Sequence, residues 1–307
     1  MMKFQTFLLL IFLSFNSFAF TGTEKQVQVV VPFAAGGTVD GFFREIQIYA
    51  ATRGIDMRPV YRPGAQGAIG LRELFSLPSD GYAISVALID SVAAYKIATN
   101  RDVDTNSIFF LHQSIFGIVM KNTNTSSITE VTSRLKTSNT GATFGYSTPI
   151  QSVVLTNMFT QMGVTNNYVL VNYGKSGLTI ISDIGSNALD IGIGSLSTYE
   201  PHIISGRLKL IAVDSRYPVE TYPNVPTLHS LYPNILAVHR GSCVVINSTN
   251  EEATAFWRQF MTDYTNTARF KERAKTEFYE IKKLTPKDIS KTVSENVTLL
   301  RAIQAKE

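Results

Sequence analysis

A run of β-branched residues, Val27-Gln28-Val29-Val30-Val31, leads through Pro32-Phe33-Ala34-Ala35 to the pair Gly36-Gly37 and then Thr38-Val39-Asp40. This order of residue types predicts a strand, a tight loop and the N-terminus of a helix. The first helical turn has backbone N–H groups without intrahelical acceptors and carries the positive end of the helix dipole. Such a junction suits a small anion, a carboxylate or a phosphate. The same residues also serve an ordinary strand-to-helix turn, in which glycine allows close packing. Asp40 either complements the dipole or accepts a hydrogen bond from a ligand's amine or hydroxyl.

Other chemistries find no support. Gly174-Lys175-Ser176 has the form of the end of a P-loop, but the first glycine of that motif would fall at Val169, inside a predicted strand. His112, His202, His229 and His239 show no metal-ligand spacing, and no Cys-x-x-Cys occurs, so neither a metal nor another cofactor is expected. Gly145-Tyr146-Ser147-Thr148-Pro149 lacks the second glycine of a nucleophile elbow. Asp40, Asp80, Asp90, Asp183, Asp190 and Asp214 include no pair that sequence alone places together for acid–base work. The chain reads as a binding protein, not an enzyme.

The elements that position the first loop alternate. Strand 27–31 is followed by a helix over 39–52, with Phe42, Phe43, Ile46 and Tyr49 at helical spacing, and by a strand over 57–61. The glycine-rich turn at 62–68, a helix through 77, the turn at 78–81 and a strand over 82–88 complete a βαβαβ unit with a parallel sheet. Residues 108–119 read as further strand, and the polar break at 122–127 as a place where the chain crosses between lobes. A second unit places strands at 142–146, 168–171, 188–193 and 208–213, with helices from 150 to 162 and up to 184. After a turn-rich stretch and a strand near 243–246, the chain is helical over 251–266, 268–275 and beyond Pro286. Those last helices are expected to pack on the first lobe.

Residues 1–19 hold one cation, Lys3, and an apolar block ending in Ser17-Phe18-Ala19, the pattern of a secretory signal cleaved after Ala19. Removal of that segment leaves 288 of the 307 residues, enough for two lobes at ~150 residues per domain. The single cysteine, Cys243, lies in the apolar run Cys243-Val244-Val245-Ile246 and reads as a buried strand thiol. An exported chain without disulfides fits a bacterial periplasm. The net charge of +4 is mild, and no basic run with interleaved aromatics suggests nucleic acid.

Six ordered blocks resemble the substrate-binding receptors of the tripartite tricarboxylate transporters, the Bug or TctC family. They are 31–37 with Asp40; 62–70; 80–82; 171–177; 189–191 with 205–209; and Pro223-Asn224-Val225-Pro226-Thr227-Leu228. The resemblance implies an α/β, two-lobed periplasmic binding protein of type II-like architecture, each lobe a mixed, mostly parallel sheet flanked by helices. Residues 20–120 and 242–307 would form lobe 1 and residues 121–241 lobe 2. It also implies a monomer that takes a small organic acid or amino acid and delivers it to integral membrane permease subunits. A sensor using the same cleft is the alternative output.

The contacts implied in lobe 1 are Phe33, Ala34, Ala35, Gly36, Gly37, Thr38 and Asp40, binding a carboxylate through backbone N–H groups and water. In lobe 2 they are Ser147, Thr148 and Gln151. Tyr173, Ser195 and Asp214 join them near the cleft, with strand-end packing and turn hydrogen bonding as the competing role for Tyr173 and Asp214. Two stretches depart from the family pattern. A glycine- and serine-rich loop followed by histidine is replaced by 147–153. A tryptophan and a Pro-Ala-Gly-x-Pro segment near the second crossing are replaced by His239-Arg240-Gly241-Ser242 and Asn247-Ser248-Thr249-Asn250. These departures leave open which acid is bound.

Overall fold

The computed structural model describes residues 20–137, 141–174, 177–215, 217–235 and 240–304. The expected signal segment 1–19, together with Lys175, Ser176 and His239, lies outside the described residues.

Val27, Val29, Val30 and Val31 of β1 (Val27–Val31) are fully buried. A strand apolar on both faces belongs inside a sheet covered on both sides. Accordingly, α1 (Thr38–Ala51) carries the chain to β2 (Met57–Tyr61), and α2 (Ala68–Leu74) carries it to β3 (Asp80–Leu88), with β1 between β2 and β3 and parallel to both. α3 (Ile89–Thr99) follows β3 without a linker and has little sequence signal. Its Leu88 N-cap offers no capping side chain, and burial of Ile89 and of Ser91 through Tyr95 hides the apolar stripe of a surface helix.

The single strand expected over 108–119 is three: β4 (Ile108–Phe110), β5 (Gln113–Ser114) and β6 (Phe116–Lys121). After α4 (Ile128–Thr137) come β7 (Ala142–Tyr146), α5 (Pro149–Met162), β8 (Tyr168–Asn172), α6 (Gly177–Ser186) and β9 (Ile191–Ser195). α7 (Leu196–Ile204) starts directly at the end of β9 and contains Pro201, so neither a linker nor an uninterrupted helical pattern announces it. β10 (Leu208–Asp214), α8 (Leu228–Leu231), β11 (Ser242–Ser248), α9 (Glu251–Asn266), α10 (Ala268–Thr276), β12 (Tyr279–Glu280) and α11 (Pro286–Gln304) complete the chain order.

Two five-stranded sheets result, in the orders β2-β1-β3-β11-β4 and β10-β6-β9-β7-β8. Each is mixed in the same way. Parallel strands build one side, and one reversed strand is inserted: β11 against β3 and β4, and β6 against β9 and β10. The chain leaves the first sheet after β4, enters the second at β6 and returns between β10 and β11. This corrects the expected division at residue 120. β6 belongs wholly to the second sheet, because its hydrogen-bonding edges are taken by β9 and β10.

Helices cover both faces of each sheet. Val27, Val29 and Val31 pack with Phe42, Phe43 and Ile46 of α1 and with Trp257, Phe260 and Phe270 of the C-terminal helices. On the opposite face, Val30 packs with Leu71, Val92, Ile289 and Val293. The C-terminal helices thus dock on the first sheet, as the sequence predicts. Two residues of this C-terminal segment reach further: Leu299 of α11 joins the α4–α5 cluster of the second sheet, and Phe278, between α10 and β12, joins the α6–α7 cluster. β12 pairs with β5, so the same C-terminal segment also clamps the first crossing.

Candidate ligand-binding site

The β1–α1 loop has the predicted form. Phe33 is half-buried and Ala34 through Thr38 are exposed. Gly36 has φ +82°, where a side chain would be strained, whereas the N-cap Gly37 is extended at φ −83° and supplies no side-chain cap. The N–H groups that open α1 are therefore presented at an exposed loop with no capping side chain over them.

Asp40 is fully buried and faces its own chain. Oδ2 accepts from the Gly36 N–H at 2.7 Å and from Arg44 Nε at 2.9 Å, and Oδ1 accepts from the Tyr61 hydroxyl at 2.7 Å. Burial opposes its charge, but these three donors outweigh it and hold the carboxyl below the usual range. Asp40 thus shapes the loop; of the two roles open from the sequence, direct contact with a ligand's amine or hydroxyl is the one this geometry disfavours.

The β7–α5 loop repeats the device with a neutral group. Gln151 is 3% exposed, and its Oε1 accepts from the Ser147 N–H at 2.7 Å, the Thr148 N–H at 3.1 Å and the Ser147 hydroxyl at 3.1 Å. Pro149, the first residue of α5, has no N–H. The second loop therefore arrives with its leading amides already used. Ser147 is half-buried and Thr148 exposed, so these two remain at the loop surface while Gln151 supports them from beneath.

The ends of the other strands gather by pairing. Phe116, the first residue of β6, stands in register with Ser195 on one side and Asp214 on the other. Ser195 Oγ lies 2.9 Å from Ser197 Oγ. The crossing segments close two helix ends: the Leu196 N–H donates to the Ile115 carbonyl at 3.1 Å, and the Ile89 N–H donates to the Gly241 carbonyl at 3.0 Å. Tyr173 does not join this group through its hydroxyl, which donates to Asp183 at 2.6 Å; burial, then that carboxylate, pushes the phenol up to about 12.

Asp214 is engaged as well. It forms an ion pair with Arg240, and each residue is 5% exposed. The Arg240 guanidinium lies over the Phe116 ring, 3.5 Å from its centroid. Tyr173 and Asp214 share one feature: each has a charged side-chain partner that folding brings to it, Asp183 and Arg240 respectively. Arg240, the partner of Asp214, is not among the residues expected from the sequence. The departure at 239–242 was its signal. Nearby, burial pushes Asp90 up to about 7 against the opposing pull of Arg240, and Asp90 Oδ1 accepts from Asn296 Nδ2 at 2.9 Å. Burial, aided by the charge of Arg273, takes His112 down to about 3, so it is neutral between the Phe42 and Tyr279 rings that stack on it.

Among the described residues, no group of three or more His, Cys, Asp or Glu side chains is arranged to hold a metal ion, and no helix is long and apolar enough to cross a membrane. No family model matches the chain, and no curated protein matches its sequence. Its fold, however, is that of the TctC and Bug periplasmic binding proteins. A TctC solute-binding protein from Polaromonas matches with a TM-score of 0.75 at 15% identity, over 92% of this chain and 98% of that one. MatC from Rhodopseudomonas palustris, solved with bound malate, matches with 0.65 at 17% identity, over 91% and 98%. The periplasmic binding protein BugD matches with 0.64 at 20% identity, over 92% and 97%.

Proposed function

We propose, on the premise that this chain has the fold of the TctC and Bug periplasmic binding proteins, that it is an exported receptor. It captures a small carboxylated metabolite between two lobes and hands it to an integral membrane permease. The observation that carries this reading is the start of α1. An exposed loop ends at a glycine N-cap without a capping side chain, on the strand edge where open α/β sheets take their ligands. The malate bound to MatC supports a carboxylate as the ligand class.

The first crossing, at 111–115, and the return that ends at β11 would serve as the hinge, with the lobes built on the two sheets. Ligand then favours the closed form because only there do the loops of both lobes reach it. The protein acts as a monomer in the periplasm, without catalysis.

The test is a thermal-shift screen of the refolded mature chain against succinate, malate, adipate, amino acids and aromatic acids. A ligand of the native state alone adds about 2.7 kcal/mol at a hundredfold excess over its dissociation constant. A rise in midpoint confined to one acid class is expected. A flat response to every acid would overturn the carboxylate reading.

A further inference from the structure

Arg240 makes fewer hydrogen bonds than its burial demands. A guanidinium has five N–H donors and no acceptor, and a buried donor without a partner carries the full cost of its lost water. Nη2 is spent on Asp214, but Nε and Nη1 are buried with no hydrogen-bond partner among the described residues. The side chain is held in place all the same. Phe116 lies under its plane, Asp214 takes one edge, and the Arg240 carbonyl accepts the Ser114 N–H at 2.8 Å. These partners come from the start of β6, the end of β10 and β5 within the first crossing, so Arg240 stands where both crossings meet. Phe116, over which the guanidinium lies, is in register with Ser195, at the strand ends that carry the second lobe's loops.

We infer that Arg240 is the charged anchor of the ligand site, and that a carboxylate of the ligand accepts from one of its two unpartnered donors, Nη1 or Nε. This rests on the receptor reading above and deepens it. The helix N-termini bind an anion by dipoles alone, whereas a fixed guanidinium demands a full negative charge at one end of the ligand. Asp214 does not exclude a second carboxylate, because a planar guanidinium serves two acceptors along different edges. Its role is to neutralise and aim the guanidinium while the site is empty. The implied substrate class is a dicarboxylate or an amino-acid-like acid, one carboxylate at the start of α1 and the other at Arg240.

The experiment is calorimetric titration of the full mature chain with succinate and with its half-amide, succinamate. The proteins are the wild type, Asp214→Asn, and the double variant Asp214→Asn with Arg240→Met, which leaves no unpaired charge in the core. Wild type is expected to prefer the dianion. Asp214→Asn keeps an acceptor oxygen for Nη2 and is expected to retain the preference for succinate over succinamate. The double variant is expected to melt cooperatively and to lose about 10- to 100-fold in succinate affinity, with its preference over succinamate gone. A double variant that keeps the wild-type preference would overturn the anchor while leaving the receptor reading intact. Equal loss of binding in Asp214→Asn and the double variant would also overturn it, and would mark the pair as structural. Absence of any acid binding by wild type in the wider screen would overturn both.

Discussion

Asp40 accepts the backbone N–H of Gly36, four residues earlier, at 2.7 Å, so the residue that follows the glycine pair also fixes its shape. The carboxylate additionally holds Arg44 and the Tyr61 hydroxyl, which ties the loop to the end of β2. Replacement by alanine leaves the Gly36 amide and the Tyr61 hydroxyl without their acceptor. Asp40→Ala is expected to cost about 1.5–3 kcal/mol in urea unfolding and to weaken acid binding through the distorted loop. The sign of its pH dependence follows from a folded pKa below the usual 3.8. The stabilisation is complete above that value and is lost as pH falls through the lower, folded one. Wild type is therefore expected to lose its advantage over Asp40→Asn only in acid.

Gln151 stands to Ser147 as Asp40 stands to Gly36, again at 2.7 Å over four residues, but without charge. Gln151→Glu keeps an acceptor oxygen for Ser147 and Thr148 in the first turn of α5, where a negative charge also suits the dipole. Its melting temperature should match or exceed that of wild type. Acid binding is nonetheless expected to fall by about tenfold or more, because the site has gained a like charge. Unchanged affinity in this variant would place the ligand away from Ser147 and Thr148.

The glycines of the first lobe separate site from scaffold. A methyl group on Gly37 meets only the Ala34 carbonyl oxygen, at 3.4 Å, and its φ of −83° is open to any residue. Gly67 has φ +94°, and a methyl there would come within 2.3 Å of Ser91 Oγ and 2.7 Å of Ser91 Cβ. Gly37→Ala should keep its melting temperature and lose ligand affinity, whereas Gly67→Ala should lose stability by about 1–3 kcal/mol. Thermal melts and titrations on the two purified variants distinguish these effects.

Asp90 has the opposite pH signature to Asp40. Its folded pKa of about 7 lies above the usual 3.8, so the folded state holds a proton that the unfolded state releases. Its share of stability is complete below 3.8 and declines as pH rises toward about 7. Asp90→Asn keeps an oxygen for Asn296 and removes the titration. Between these pH values the melting temperature of wild type should fall relative to that of Asp90→Asn; parallel curves would show that Asp90 titrates normally.

The local order of this protein was legible in its sequence because the interactions behind it are local. The valine run of β1, the glycine pair before α1 and the βαβαβ order through β3 follow from residue type and spacing. Helices α9 and α10 were equally visible, since each begins at a residue whose side chain accepts an amide of the first turn, Asn250 and Thr267. Only tertiary structure could place β6 in the second sheet, because the choice depends on which edges β9 and β10 leave open. It alone decided the partners of the candidate site residues. Asp214 and Arg240 are 26 residues apart, and Phe116 is farther still from both, so no spacing rule joins them. What sequence fixes is where hydrogen-bonding groups stand along the chain; which of them remain for a ligand depends on the non-local partners that folding assigns, and at Arg240 it leaves two donors buried without one among the described residues.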